Sequence, residues 1–213
     1  MFHVFFSWFV KVTGYFVYRF SFRTKIYYQN KKKQSRRIKG KAIVISNHTS
    51  LWDFAVMLFV FPFRLLRCVV AEVTFDKPFM KIFLSLFGAI RVDRNTQDYA
   101  FISKSVSILN KGGVIEIYPE SRLPSETDEV LPLPFKPSAV YIALESNAPI
   151  IPIYTNGKYF CKERARVIIG EPINVVDMYD EKLSEKENIE RINEYLRDMV
   201  IQLGYELERQ SKK

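Results

Sequence analysis

AIVISNHTSLWDFAVMLFVF, residues 42–61, decides how the rest of the chain is read. It opens on a β-branched run, Ala42–Ile45, continues through small polar residues, and closes on an apolar stretch, Trp52–Phe61. A short Val/Ile run fits a strand buried on both faces, and an apolar segment entered through Ser, Asn and Thr fits a capped helix. The alternation recurs in Arg67–Ala71 then Lys77–Phe87, Ala89–Val92 then Asp98–Asn110, and Val114–Tyr118 then Lys136–Glu145. Ile150–Tyr154 and Ala165–Ile169 are further strand candidates, and Leu183–Glu208 reads as a charged amphipathic helix or helix pair. Strands separated by helix-length segments predict an α/β fold with a mostly parallel central sheet flanked by helices. Gly112-Gly113 suits the end of a helix before the Val114 strand. Ser121–Pro137, with four prolines, predicts a loop, and loops of that length inside a domain are usually functional.

His48 and Asp53 lie in the polar part of the opening stretch. His48 is one of two histidines, and Asp53 is the first acidic residue of the chain. An imidazole titrating near neutrality can take a proton from a hydroxyl, and a carboxylate can hold the ring in the required tautomer. Residues five apart stand roughly 140° apart around a helix, so the two meet only if His48 is on the entering loop and Asp53 in the first turn. Ser46, Asn47, Thr49 and Ser50 are capping types and suit that arrangement. A capping His with a first-turn Asp that complements the helix dipole is the structural alternative.

The 213 residues, 48% hydrophobic and 26% charged, predict one globular domain and exclude a disordered chain. Cys68 and Cys161 are far apart and outside any Cys/His cluster, so neither a disulfide framework nor a metal site is expected. The net charge of +9 is unevenly placed: residues 1–52 hold 11 of the 32 Lys/Arg and no acidic residue, leaving 21 basic against 23 acidic residues beyond. The opening MFHVFFSWFVKVTGYFVYRF is interrupted by Lys11 and Arg19, so no uncharged run long enough to cross a bilayer exists there. It also lacks the positive start and small-residue cleavage site of a signal peptide. An amphipathic helix lying in the headgroup region is expected, with Trp8, Tyr15 and Tyr18 as interface anchors. The Lys31–Lys41 cluster would add roughly 1 kcal/mol per cation near an anionic leaflet. Residues 1–40 are therefore read as a membrane-associating helical segment, and 41–213 as the α/β domain. A core helix with a solvated basic loop is the plainer reading. Nucleic acid is a third partner class, disfavoured because a Phe-rich helix without a basic face tracks phosphates poorly.

Ligands of doubly wound sheets bind beyond the carboxyl ends of the strands. There lie His48, Val92-Asp93-Arg94, Tyr118-Pro119-Glu120-Ser121-Arg122 and Pro149-Ile150-Ile151-Pro152. Arg94 and Arg122 could clamp a phosphate dianion, or each could pair with its acidic neighbour, Asp93 or Glu120. Glu120 could orient His48, position a substrate hydroxyl or fix Arg122. Lys136 is another cation on the loop return, read as a helix-start residue.

These four blocks, over roughly residues 40–155, resemble the 1-acylglycerol-3-phosphate acyltransferase family of glycerolipid acyltransferases. Asn47, His48 and Asp53 match its Asn-His-x4-Asp block. Gly88, Ile90, Val92, Asp93 and Arg94 match the block of a glycine, an apolar strand and Asp-Arg. Tyr118, Pro119, Glu120 and Arg122 match Phe-Pro-Glu-Gly-Thr-Arg-Ser in part, and Pro149–Pro152 matches the paired-proline segment. The third block departs from the pattern: Ser121 alone replaces Gly-Thr, removing the glycine that would favour a positive φ.

The resemblance implies an enzyme that moves a fatty acyl group from a thioester to the free hydroxyl of a lysophospholipid, making phosphatidic acid from 1-acylglycerol-3-phosphate. His48 would be the base and Asp53 its orienting carboxylate, while Arg94, Glu120 and Arg122 would bind substrate. The donor would be acyl-CoA or acyl-acyl carrier protein, with no bound cofactor or metal. The expected location is the cytoplasmic face of the cell membrane, peripheral or monotopic, on anionic lipid and without a nucleic-acid partner. Two rivals remain. An acyl-ester hydrolase would use Ser50 as nucleophile, although no Gly-x-Ser-x-Gly elbow is present. A peripheral lipid- or nucleic-acid-binding protein would keep the dyad as structure.

Overall fold

A computed structural model describes residues 2–76, 78–92 and 100–212. Among the described residues seven strands form one sheet: β1 (Lys25–Tyr28), β2 (Ala42–Ser46), β3 (Leu66–Ala71), β4 (Ile90–Val92), β5 (Val114–Ile117), β6 (Ile150–Thr155) and β7 (Arg166–Ile169). Their order is β1-β7-β6-β2-β5-β3-β4, and all neighbours are parallel except the antiparallel β6–β7 pair. The mostly parallel sheet is as the sequence predicts. β2 lies between β5 and β6 with every residue buried, which is why it is written in Ala, Val and Ile without alternation.

Helices cover both faces. α1 (Phe2–Thr13), α2 (Tyr15–Ser21), α3 (Asp53–Val60) and α4 (Pro78–Leu86) lie on one side, where Val44, Val114, Ile151 and Ile153 meet Val56, Met57 and Phe61. α5 (Ala100–Asn110), α6 (Ser138–Ser146) and α7 (Glu185–Ser211) lie on the other, with Ile43, Ile45, Ile115 and Ile150 packed on Leu109, Ile142 and Ile192. α7 is a single helix, not a pair, and begins with a capping box in which Ser184 and Glu187 bond each other's backbone N–H.

The first 40 residues depart from expectation. Lys25–Tyr28 is a strand, pairing in parallel with β7, so the sheet begins well before residue 41. Tyr18 is not an interface anchor: it is 6% exposed and stacked on Phe59 at 4.5 Å. Lys11 is buried as well, its Nζ donating to the carbonyls of Phe61 (2.7 Å) and Arg64. Arg36 reaches the Val60 and Phe59 carbonyls at 2.8 and 2.7 Å. The carbonyls at the end of α3 lack partners within their helix, and Lys11 and Arg36 supply donors there. Part of the amino-terminal basicity is thus helix capping. Outward, α1 and α2 present apolar side chains: Phe5, Phe9, Val12, Phe16, Val17 and Phe20 are all exposed. Among the described residues, no helix is long and apolar enough to cross a membrane.

Candidate active site

The site begins where β2 runs out. Asn47 continues the β2–β6 ladder with its side chain: Nδ2 donates to the Thr155 carbonyl (2.9 Å) and Oδ1 accepts from the Thr155 N–H (2.8 Å). The backbone then turns through 48–52 into α3, as the spacing requires. His48 lies on the entering loop and Asp53 is the first residue of the helix. The two side chains meet, His48 Nδ1 standing 2.9 Å from Asp53 Oδ2.

Asp53 has no exposed surface and gathers five donors. Oδ2 accepts from His48 Nδ1, from the Thr49 N–H (2.6 Å) and from the Ser50 N–H (2.9 Å). Oδ1 accepts from Thr49 Oγ1 (2.8 Å) and Tyr159 OH (2.7 Å). A carboxylate in such company only accepts, so the Nδ1 proton points at it and Nε2 carries the lone pair. Four of the donors come from the turn itself. Tyr159 comes from the β6–β7 loop, and its phenol is pushed further above its ordinary range by burial and by the Asp53 charge, keeping it a neutral donor. The same loop presses on the turn at Gly157 (φ 64°), where a Cβ would fall 2.6 Å from Thr49 Oγ1.

The capping residues act differently from expectation. Trp52 is the N-cap of α3 and makes no side-chain cap, whereas Ser50 Oγ accepts from the Trp52 N–H at 3.2 Å. The turn thus uses the Ser50 hydroxyl as a backbone acceptor.

His48 keeps 18% of its side chain exposed and is met by the segment that follows β5. Tyr118, just past β5, stacks on the imidazole at 4.4 Å and 25° between planes. Its hydroxyl donates to Glu116, a fully buried residue of β5 whose carboxyl is pushed up to about 8 by loss of hydration. Glu120 was expected on substrate but braces backbone: Oε1 accepts from the His48 N–H (2.6 Å) and Oε2 from the Leu133 N–H (2.7 Å). Burial raises the Glu120 carboxyl and those two donors oppose the rise. It thereby ties the long loop to the His48 turn. Ser121 adopts φ 59° itself, the left-handed geometry for which the resembled motif has glycine, and Arg122 is turned outward.

Arg122 is half exposed and holds Asp128 bidentately, at 2.7 and 2.6 Å. Ser125 adds its N–H and hydroxyl to the same carboxylate, and this company holds Asp128 well below the usual range. The acidic partner of Arg122 is thus Asp128 and not Glu120. Arg94 lies outside the described residues. Lys136 is exposed on the wall of a cavity of about 470 Å³ that also includes Tyr118 and Ser121.

A second cavity, about 150 Å³, opens beside His48 between β3 and α4. Phe54, Val69, Met80, Phe83 and Leu84 make it apolar, and Cys68 is on its wall. Burial raises the Cys68 thiol well above its ordinary value, with the Glu116 and Asp53 charges adding to the rise, so Cys68 is not a nucleophile in waiting. Among the described residues no three His, Cys, Asp or Glu side chains are grouped to hold a metal ion. Tyr159 is a member of the site that the sequence reading does not single out, being 106 residues from the carboxylate it bonds.

A family model described as Acyltransferase matches residues 23–156. The 1-acyl-sn-glycerol-3-phosphate acyltransferase of Saccharomyces cerevisiae is 27% identical over 186 residues, covering 78% of this chain and 58% of that protein. The Homo sapiens 1-acyl-sn-glycerol-3-phosphate acyltransferase beta is 23% identical over 170 residues, covering 78% and 60%. The chain therefore spans less than two thirds of the length of either relative. Among solved structures, the 1-acyl-sn-glycerophosphate acyltransferase of Thermotoga maritima shares the fold. It has a TM-score of 0.65 at 16% identity, with 92% of this chain and 78% of that one covered.

Proposed function

The chain belongs to the acyltransferase family, and from that premise we propose that it transfers a fatty acyl group from an acyl thioester to the free hydroxyl of a lysophospholipid, 1-acylglycerol-3-phosphate being the acceptor and phosphatidic acid the product. The observation that carries this reading is the His48–Asp53 pair, whose Nε2 lone pair is left to face substrate beside an apolar cavity. His48 Nε2 takes the hydroxyl proton, and the acceptor oxygen attacks the thioester carbonyl. The C–S bond breaks and His48 returns the proton to the departing thiolate. Asp53 stabilises the imidazolium between those steps, and the Tyr118 face lies against it. No enzyme nucleophile is needed, which fits Ser50 Oγ being engaged by the Trp52 N–H.

The apolar cavity receives the acyl chain of the donor, acyl-CoA or acyl-acyl carrier protein. Arg122, exchanging Asp128 for the acceptor phosphate, acts with Arg94 on the head group. Phe5, Phe9, Phe16 and Phe20 are exposed on α1 and α2, and Leu51, Trp52 and Phe160 are exposed beside the His48 turn, where Trp52 and Phe160 pack on Phe22 at the end of α2. That face docks the enzyme on an anionic lipid surface, at the cytoplasmic face of the membrane, as a peripheral or monotopic protein and not on nucleic acid.

Two variants test the assignment. Ser50→Ala should keep transfer within a few-fold of wild type; abolished turnover would establish the hydrolase chemistry instead. Arg122→Ala should raise the acceptor KM about tenfold and leave the donor KM unchanged, and equal effects on both would remove its phosphate role.

A further inference from the structure

At the opposite end of the sheet from His48, beside the amino ends of β3 and β5, lies a cavity of about 440 Å³. Arg64, Arg67 and Lys111 line it, with Trp8 and Phe63 at its rim. None of the three cations has a carboxylate partner among the described residues; each ion pair found there involves other groups. The two guanidiniums are half-buried and spend their donors on neutral acceptors. Arg64 donates to the Ile38 (3.2 Å) and Gly112 (2.5 Å) carbonyls, and Arg67 to His3 Nε2 (2.7 Å). Burial and the Arg67 charge both push the His3 imidazole down, so it accepts as a neutral ring.

Guanidiniums partly withdrawn from water without a counter-charge are costly, and an arriving anion, which the exposed Lys111 also attracts, offsets that cost. Arginine forks favour phosphate over a point anion because they engage two oxygens at once. The rim sets the kind of molecule that brings the phosphate. Trp8 and Phe63 are both exposed, and Trp8 belongs to the helix whose outer face carries Phe5 and Phe9. Arg37 lies over the Phe63 ring at 4.8 Å, adding a cation to an apolar edge. A phosphate tethered to hydrocarbon meets both halves of this surface, whereas free phosphate meets one.

We propose that the cavity between α1 and the amino ends of β3 and β5 binds the phosphate of an anionic lipid head group, through Arg67 and Lys111, with Arg64 on the same wall. It is separate from the acceptor site at the carboxyl ends. It rests on the membrane-docking reading above and gives that docking a defined anchor in place of a diffuse basic field.

The test uses the full chain and vesicles of phosphatidylcholine with or without phosphatidic acid. Arg67→Gln/Lys111→Gln is compared with Lys31→Gln/Lys32→Gln, which removes the same charge from the basic loop. Arg64 is left in place because it ties two backbone carbonyls. The cavity variant should lose about tenfold or more in affinity for the anionic vesicles, and the loop variant less than about threefold. Both should keep wild-type melting temperature and wild-type kcat on soluble short-chain substrates. Equal weakening by the two variants would overturn the site and leave a diffuse field. Displacement of wild type from the vesicles by millimolar inorganic phosphate, lost in the cavity variant, would overturn the lipid source in favour of free phosphate. Wild type that ignores all vesicles would overturn the docking reading itself, a result distinct from both.

Discussion

The two ends of the sheet handle charge in opposite ways. At the carboxyl ends one carboxylate, Asp53, collects five donors and is fully buried. At the amino ends Arg64, Arg67 and Lys111 share a cavity with no described carboxylate on its wall. A closed, satisfied arrangement is rigid, which suits a group that must hold an imidazole through proton transfer. An open arrangement of unmatched cations suits reversible capture of something from outside. On the reading proposed above, the first end serves chemistry and the second attachment.

Removing the anion from the satisfied end should have the largest effect. Asp53→Asn puts an amide NH2 among donors and frees the His48 tautomer, so kcat should fall on the order of 10³-fold or more. A loss below about tenfold would show that the dyad is structural. Tyr159→Phe should lower kcat about tenfold with both KM values unchanged, because it removes one charge-assisted bond. In the Asp53→Asn background the same substitution should cost less than twofold; full additivity there would mean that Tyr159 supports the fold and not the carboxylate. The smallest effect concerns stability. The Glu116 carboxyl rises from 4.5 to about 8 on burial, so its contribution is complete below about pH 4.5 and is lost as pH climbs through 8. Glu116→Gln removes that dependence, and its melting temperature should overtake wild type by several degrees near pH 8 while the gap shrinks toward pH 5. A gap that does not change with pH would contradict the assignment of a raised Glu116.

What sequence could disclose depended on how local the determining contacts are. β2 and β6 were legible because strands buried in the sheet interior are written in apolar residues, β3 and β5 because each keeps an apolar run around one charged residue, Arg67 or Glu116, and α7 because its outer face is charged. The His48–Asp53 contact was legible because both residues sit in one turn. β1 was not, since Lys25-Ile26-Tyr27-Tyr28 is short and lies within a basic, aromatic stretch that reads equally as a lipid-facing segment. Lys11 and Arg36 looked like surface charge, yet they cap α3, and only the packing of α1 reveals the carbonyls they serve. Arg122 stands two residues from Glu120 but pairs with Asp128, because Ser121 at φ 59° turns the chain away and both Glu120 oxygens are already taken by backbone. Tyr159 carries no motif. Its role follows from the loop between β6 and β7 crossing back over the first turn of α3, a contact that no local pattern encodes.

The central claim is that His48 Nε2 takes the proton of an acceptor hydroxyl so that an acyl thioester is attacked directly. The most direct measurement incubates the protein with 1-acylglycerol-3-phosphate and a long-chain acyl-CoA and follows phosphatidic acid together with free thiol. The account predicts equal amounts of both from wild type and neither above background from a folded His48→Ala. Phosphatidic acid still formed by His48→Ala, or thiol released by wild type with free fatty acid in place of phosphatidic acid, would contradict it.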